Sequence, residues 1–322
     1  MFMPTPDLSV SFSNITLKTP ITLLSGCVGF GEELLNIADF SFKDIGAICL
    51  KGTTLEPRHG NKPHRLAETP AGLLNAIGLQ NPGARHVVDD ILPRWEKESR
   101  LKEGDGPPTR LFANISGSTV QDYGEVARIF DDSFVDAIEI NISCPNVKKG
   151  GAAFGSDPII AADVVSEVRK ATSKPIITKL SPNVTDITQI AKATLEAGSD
   201  AFSVINTLMG MAIDIRTRKP VLGNTQGGLS GPAIKPVALL KVWLVYQAVA
   251  KYQKPILGQG GITSGSDAFE FFIAGSSAIG VGTALFRNPL ISADINRELR
   301  EIMTQQNIEN LSETIGTLAI SR

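Results

Sequence analysis

Short apolar runs alternate with helix-length amphipathic stretches along this chain. The runs predict strands over residues 21–25, 45–51, 110–116, 135–142, 175–180, 201–206, 255–258 and 278–282. The amphipathic stretches predict helices over residues 120–130, 159–171, 186–197, 233–252, 266–274 and 291–305. Eight strands separated by helices in 322 residues predict an α/β fold of one domain, residues 1–322, closed as a (β/α)8 TIM barrel. An open doubly wound sheet is the competing fold, but the glycine fingerprint it needs after its first strand is missing. Residues 8–17 read as an N-terminal β-hairpin turning at Ser13-Asn14, placed to plug the bottom of the barrel. Three connections, 52–89, 143–158 and 207–232, are longer than the scaffold needs. Each follows a strand, which predicts long loops at the C-terminal face, where barrels keep their active sites.

Composition removes several classes of function. A hydrophobic share of 42% together with 30 glycines is ordinary for a globular domain. A net charge of −2 without a basic block argues against nucleic acid as a partner. No stretch approaches the roughly 18 uncharged apolar residues of a membrane span, and the opening residues lack a basic-then-apolar signal pattern. Cys27, Cys49 and Cys144 lie too far apart for a zinc ribbon, an iron–sulfur cluster held within this chain or a disulfide framework, which points to the reducing cytoplasm. His59, His64 and His86 form no helix-spaced pair, so no metal site is expected.

Chemistry collects at the predicted strand ends. Ser25, Lys51, Asn114, Asn141, Lys179, Asn206 and Thr207 fall at equivalent positions, as a ring around the mouth of a barrel would. Lys51 and Lys179 each follow an apolar run that would carry the ammonium inside the rim, where two fixed cations suit an anionic ligand or a charge that develops in reaction. The last two strands end in Gly258-Gln259-Gly260-Gly261 and Gly280-Val281-Gly282-Thr283. A third cluster, Gly227-Gly228-Leu229-Ser230-Gly231-Pro232, opens the helix predicted from Ala233, with Ser230 or Gly231 as its cap. Bare amides at such turns bind phosphate, and barrels commonly do so after strands seven and eight. In the long second connection, Asn75-Ala76-Ile77-Gly78-Leu79-Gln80-Asn81 offers two asparagines able to pair with a planar ring. Cys27 and Cys49 read as small buried hydrophobes. Cys144, in a polar, glycine-rich loop just past a strand, reads as a reactive thiol.

Taken in order, these pieces resemble the class 1 dihydroorotate dehydrogenases, and most closely the class 1B catalytic subunit. Lys51-Gly52-Thr53-Thr54, the Asn75 to Asn81 run, Asn141-Ile142-Ser143-Cys144-Pro145-Asn146, Val204-Ile205-Asn206-Thr207 and the glycine clusters carry the resemblance, which covers most of the chain. Two positions depart from the family pattern. Gly26-Cys27-Val28-Gly29 stands where relatives often have threonine and phenylalanine, and Gln259 stands where an apolar residue is usual.

The resemblance implies an FMN-dependent enzyme that oxidises dihydroorotate to orotate in the de novo pyrimidine (UMP) pathway. Cys144 would be the base that takes the C5 proton, while the C6 hydrogen leaves as hydride to the flavin. Substrate would be held by Lys51, Asn75, Ala76, Ile77, Gly78, Leu79, Asn141, Asn206 and Thr207. FMN would be held by Ser25, Lys51, Gly52, Asn114, Asn141, Lys179, Ile205, Gly231, Gly260, Gly261, Gly282 and Thr283. Residues 143–155 are the expected closing loop. Class 1B further implies a separate subunit with FAD and a [2Fe–2S] cluster that passes electrons to NAD, in a heterotetramer with a homodimeric core. Three alternatives remain at this level: a fumarate-reducing class 1A enzyme, a nucleobase reductase like dihydropyrimidine dehydrogenase, and a flavin-free phosphate-binding barrel.

Overall fold

A computed structural model describes residues 6–142 and 151–320. Eight parallel strands close into a barrel: β1 (Ile21–Leu23), β2 (Ala47–Cys49), β3 (Arg110–Ile115), β4 (Ala137–Asn141), β5 (Ile176–Leu180), β6 (Ala201–Val204), β7 (Ile256–Gln259) and β8 (Ala278–Val281). Neighbours in the barrel are neighbours in sequence, and β8 closes on β1 with Ile279 opposite Ile21. These are the eight predicted strands, seven of them trimmed at one or both ends and the seventh in order, β7, shifted one residue onward. Seven of them are buried along their whole length, and the eighth, β3, is buried except at Arg110, which explains why they read as continuous apolar runs.

The six predicted helices form around the barrel: α1 (Val120–Asp131), α2 (Pro158–Ala171), α3 (Ile187–Glu196), α4 (Lys235–Val249), α5 (Gly265–Ala274) and α6 (Ile291–Gln306). Their starts are chemically marked. Thr119 and Asp122 make a reciprocal capping box on α1, and the Asp157 carboxylate accepts from the Ile159 and Ile160 amides ahead of α2. The α4 region, Pro232–Tyr252, is long and apolar enough by length and composition to cross a membrane, and 28% of its apolar stretch is buried. Here it packs against α3, α5 and β7 in the outer ring, with Val242, Val245 and Val249 buried.

The N-terminal hairpin pairs Val10–Phe12 with Ile15–Leu17. Phe12 stacks on Phe112 of β3 with 6.3 Å between ring centres, and the Arg110 Nε donates to the Thr16 carbonyl at 3.3 Å. Both contacts fall near the start of β3, so the hairpin sits at the end of the barrel away from the strand C-termini.

Two features lie outside the sequence reading. Residues 84–97 are helical, with a π turn over Val87–Ile91 just before Pro93. Proline lacks an N–H and crowds the preceding turn, which a widened turn accommodates. The two long connections around residues 52–89 and 207–232 also join. Leu66–Thr69, Gly72–Asn75, Gly227–Ser230 and Leu208–Gly210 form one antiparallel sheet, in which Asn75 lies opposite Gly228. This sheet has a small core of its own, Ala67, Leu74, Ala76 and Leu222.

Candidate active site

Successive residues of a strand face opposite sides, so alternate positions of β3, β4 and β5 point into the barrel. Register then fixes who meets whom. Asn114 lies opposite Glu139, Asn141 opposite Lys179, and Lys179 opposite Ser203 of β6. Above this layer opens a cavity with about 250 Å³ of water-accessible space, bounded by the strand C-termini on one side and by the antiparallel sheet on the other.

Most of the residues singled out by sequence meet here. Ser25, Lys51, Gly52, Asn141, Lys179, Ile205, Asn206 and Thr207 line the barrel side. Asn75, Ile77, Gly78 and Leu79 come in from the second connection, and Gly231, Gly260, Gly261, Gly282 and Thr283 make the glycine corner. Within it, Asn206 Nδ2 donates to Asn141 Oδ1 at 3.4 Å, Asn75 Nδ2 to the Gly228 carbonyl at 3.1 Å, and Thr283 Oγ1 to Ser230 Oγ at 2.8 Å.

Three expectations change. Ala76 is fully buried in the sheet's own core and does not reach the cavity. Asn81 does not present its amide to a ring. Its Oδ1 accepts from the Thr54 and Gly83 amides, and its Nδ2 donates to Thr54 Oγ1 and the Leu79 carbonyl, so it braces the loop that carries Leu79. Gly227–Ser230 is a strand rather than an open turn, and of the two cap candidates it is Gly231, at φ +90°, that caps the Pro232–Ile234 turn leading into α4. Cys144 and the rest of 143–150 lie outside the described residues.

Asn114 sits one layer down, as does a residue that sequence reading passed over. Glu139 is buried in the barrel interior, where it accepts from Cys49 Sγ (3.2 Å), Asn114 Nδ2 (2.5 Å) and Ser203 Oγ (2.5 Å), with Lys179 Nζ at 3.5 Å. Burial alone would push this carboxyl up; the Lys179 ammonium and the three hydrogen bonds outweigh it and hold the group below its ordinary value. Burial and the same carboxylate push the Cys49 thiol well up, so this cysteine is a hydrogen-bond donor as well as a buried hydrophobe. Cys27 lines the cavity, and burial pushes its thiol up to about 11 against the pull of Lys179 and Lys51. A larger surface groove, about 800 Å³, mixes Glu56, Arg85, Glu125, Arg128 and Asp132, with no converging set of one charge.

A lysine-bearing, glycine-cornered cavity at the C-terminal mouth of an eight-stranded α/β barrel lies where barrel enzymes keep their active sites, and defines the chain as one of them. Residues 7–303 match the family described as "Dihydroorotate dehydrogenase". The chain is 48% identical over 311 residues to a protein of Desulforamulus reducens, covering 96% of this chain and 98% of the relative. It is 48% identical over 319 residues to one of a Geobacter species (99% and 100%) and 49% identical over 310 residues to one of a Geobacillus species (96% and 95%). All three are named "Dihydroorotate dehydrogenase B (NAD(+)), catalytic subunit". The chain belongs to the dihydroorotate dehydrogenase family. The class 1B assignment and the oxidoreductase role in pyrimidine biosynthesis, both expected from the motifs, are borne out. The words "catalytic subunit" imply a second subunit in those relatives.

The family is generally FMN-dependent, and the residues here fit that group. Asn114 Oδ1 and Gln259 Oε1 are buried polar atoms without a hydrogen-bond partner among the described residues, the first below the cavity floor and the second on a residue that lines the cavity. At Gly52 a Cβ would lie 2.8 Å from Asn114 Oδ1, and at Gly261, φ +84°, one would lie 2.9 Å from the Gly231 carbonyl. Bare backbone is what a phosphate and a closely approaching ring require.

Proposed function

We propose that this cavity holds FMN together with dihydroorotate, and that Cys144 removes the proton from C5 of the substrate. When bound, FMN supplies the two-electron chemistry, accepting the C6 hydrogen as hydride. The residues proposed to hold FMN are Ser25, Lys51, Gly52, Asn114, Asn141, Lys179, Ile205, Gly231, Gly260, Gly261, Gly282 and Thr283. Those proposed for substrate are Lys51, Asn75, Ile77, Gly78, Leu79, Asn141, Asn206 and Thr207, with Ala76 supporting their loop from behind.

Each group has a physical task. The amides of the glycine corner take the phosphate, where side chains would obstruct it. The Lys51 ammonium neutralises the substrate carboxylate through a charge-assisted hydrogen bond. Asparagine amides, which both donate and accept, match the alternating N–H and C=O edge of a pyrimidine ring. Lys179 is a fixed cation in a water-poor site, where it stabilises negative charge that grows during reaction. Cys144 must reach its proton as a thiolate, which nearby positive charge favours.

Electrons then pass to NAD through a separate subunit carrying FAD and a [2Fe–2S] cluster, in a cytoplasmic heterotetramer built on a homodimer of this chain. The names of the relatives support two parts of this arrangement, NAD as acceptor and a further subunit beside the catalytic one. The observation that carries the reading is the convergence of two lysines, three asparagines and the glycine corner on one cavity. The test is to purify the chain alone and with neighbouring cellular proteins, record its flavin absorbance, and follow dihydroorotate oxidation with NAD and with fumarate. Flavin in the protein, with NAD reduction only when a second subunit is present, is expected. A colourless protein, or fumarate reduction by the chain alone, would overturn the proposal.

A further inference from the structure

Glu139 is a charge that the proposed chemistry does not consume, placed where a charge is expensive. It is 1% exposed, and removing a carboxylate from water costs several kcal/mol unless partners replace the solvent. Four strands supply those partners: Cys49 follows from β2, Asn114 from β3, Lys179 from β5 and Ser203 from β6. Two of the four also serve the cavity. Lys179 lines it, with its ammonium 3.5 Å from Glu139 Oε1 on the inner side. Asn114 commits Nδ2 to the carboxylate, and because a carboxylate only accepts, the amide can sit only one way round. Its Oδ1 is left buried, without a partner among the described residues, against Gly52 of the cavity wall.

We propose that Glu139 is a positioning residue for the flavin: it anchors the Lys179 ammonium at the cavity floor and turns the Asn114 carbonyl oxygen toward a ring N–H. Its charge thereby sets how much more tightly the site holds reduced than oxidised flavin. The inference rests on the FMN reading above. A neutral residue of the same shape would leave the barrel packed but would free the ammonium and let the amide rotate.

The experiment is a double-mutant cycle on flavin-loaded protein, using wild type, Glu139→Gln, Lys179→Gln and the double variant. Two quantities are read: the FMN dissociation constant of the refilled apoprotein, by fluorescence, and the reduction potential of the bound flavin. Glu139→Gln is expected to change the ratio of affinities for reduced and oxidised flavin at least tenfold, about 30 mV for a two-electron couple. In the Lys179→Gln background that change is expected to fall by tenfold or more. Effects that add, or a potential that Glu139→Gln leaves in place, would overturn the inference, since a merely structural residue would alter stability without moving that ratio. Should Glu139→Gln not fold, Glu139→Met, which also removes the charge and is of similar length, takes its place in the same cycle with the same expectations. A wild-type protein that takes up no FMN would overturn the reading of the site and this inference with it, whereas an additive cycle in flavin-loaded protein overturns the inference alone.

Discussion

Replacing Lys179 by methionine removes a buried cation and strands its counter-charge. The two side chains are 7% and 1% exposed and 3.5 Å apart, so little solvent can enter to replace the ammonium. Breaking a buried pair from one side costs about 3–5 kcal/mol. The hydrogen bonds from Cys49, Asn114 and Ser203 remain and place this case at the lower end, about 3 kcal/mol. The carboxylate has one escape, which is to take up a proton, and that makes the cost depend on pH. In the native protein Glu139 is held below its ordinary value of 4.5, so its contribution is present above that pH and is lost as pH falls through the lower folded value. In Lys179→Met the opposing cation is gone, and burial, the largest single influence on the group, is expected to carry it above its ordinary value. The folded variant then binds a proton that the unfolded chain has released. Its relative stability is greatest below the unfolded value and declines as pH rises toward the raised folded one, by up to about 1.4 kcal/mol per pH unit. Chemical denaturation of the flavin-free native and variant proteins between about pH 5 and pH 8 reads this directly. A stability gap that stays constant across that range would refute the electrostatic reasoning.

Three further outcomes are expected. Gly261→Ala places a Cβ 2.9 Å from the Gly231 carbonyl at a residue with φ +84°, and should cost about 1–3 kcal/mol and lower the flavin-to-protein ratio of the purified variant; native flavin content would count against the phosphate corner. Asn81→Ala removes four hydrogen bonds that brace the loop of Leu79, which at roughly 1 kcal/mol each should lower unfolding stability by about 2–4 kcal/mol and weaken orotate binding, measured by flavin absorbance changes on titration. Cys144→Ala should keep FMN and bind orotate, yet slow flavin reduction by dihydroorotate about 10²–10⁴-fold in single-turnover measurements; an unchanged rate would remove the thiol from the mechanism.

Which parts of this molecule were legible in its sequence follows from how each is held. The barrel strands are stabilised by burial on both sides, and burial writes itself as an apolar run, so all eight could be read with ends displaced by at most two residues. The sheet over the cavity is different. Gly72, Gly227 and Gly228 sit in its strands because side chains there would collide with Ser230, Asn75 and Thr207, and glycine is otherwise a signal for loops. Its pairing also joins segments about 150 residues apart, which local pattern cannot report. At the site, residues at strand ends announced themselves by breaking an apolar run. Glu139 broke one too, standing between Ile138 and Ile140, but its meaning depended on partners from four other strands. Ala76 and Asn81 were placed in the cavity on the strength of their neighbours, and only tertiary contacts show that they look away from it.

The order in which the barrel closes has a consequence for how the protein comes into service. Its cavity is walled by Ser25 near the first strand and by Thr283 just past the last, and the seam between them forms only when residues 279–281 meet 21–23. At about 5–20 residues per second of synthesis, the early strands wait on the order of 10–50 s for that partner. Until both sides of that seam exist, no partial chain owns the whole pocket. A ligand bound across the seam acts as a clasp between the oldest and youngest parts of the chain, and stabilises the closed barrel in proportion to how far its concentration exceeds its dissociation constant.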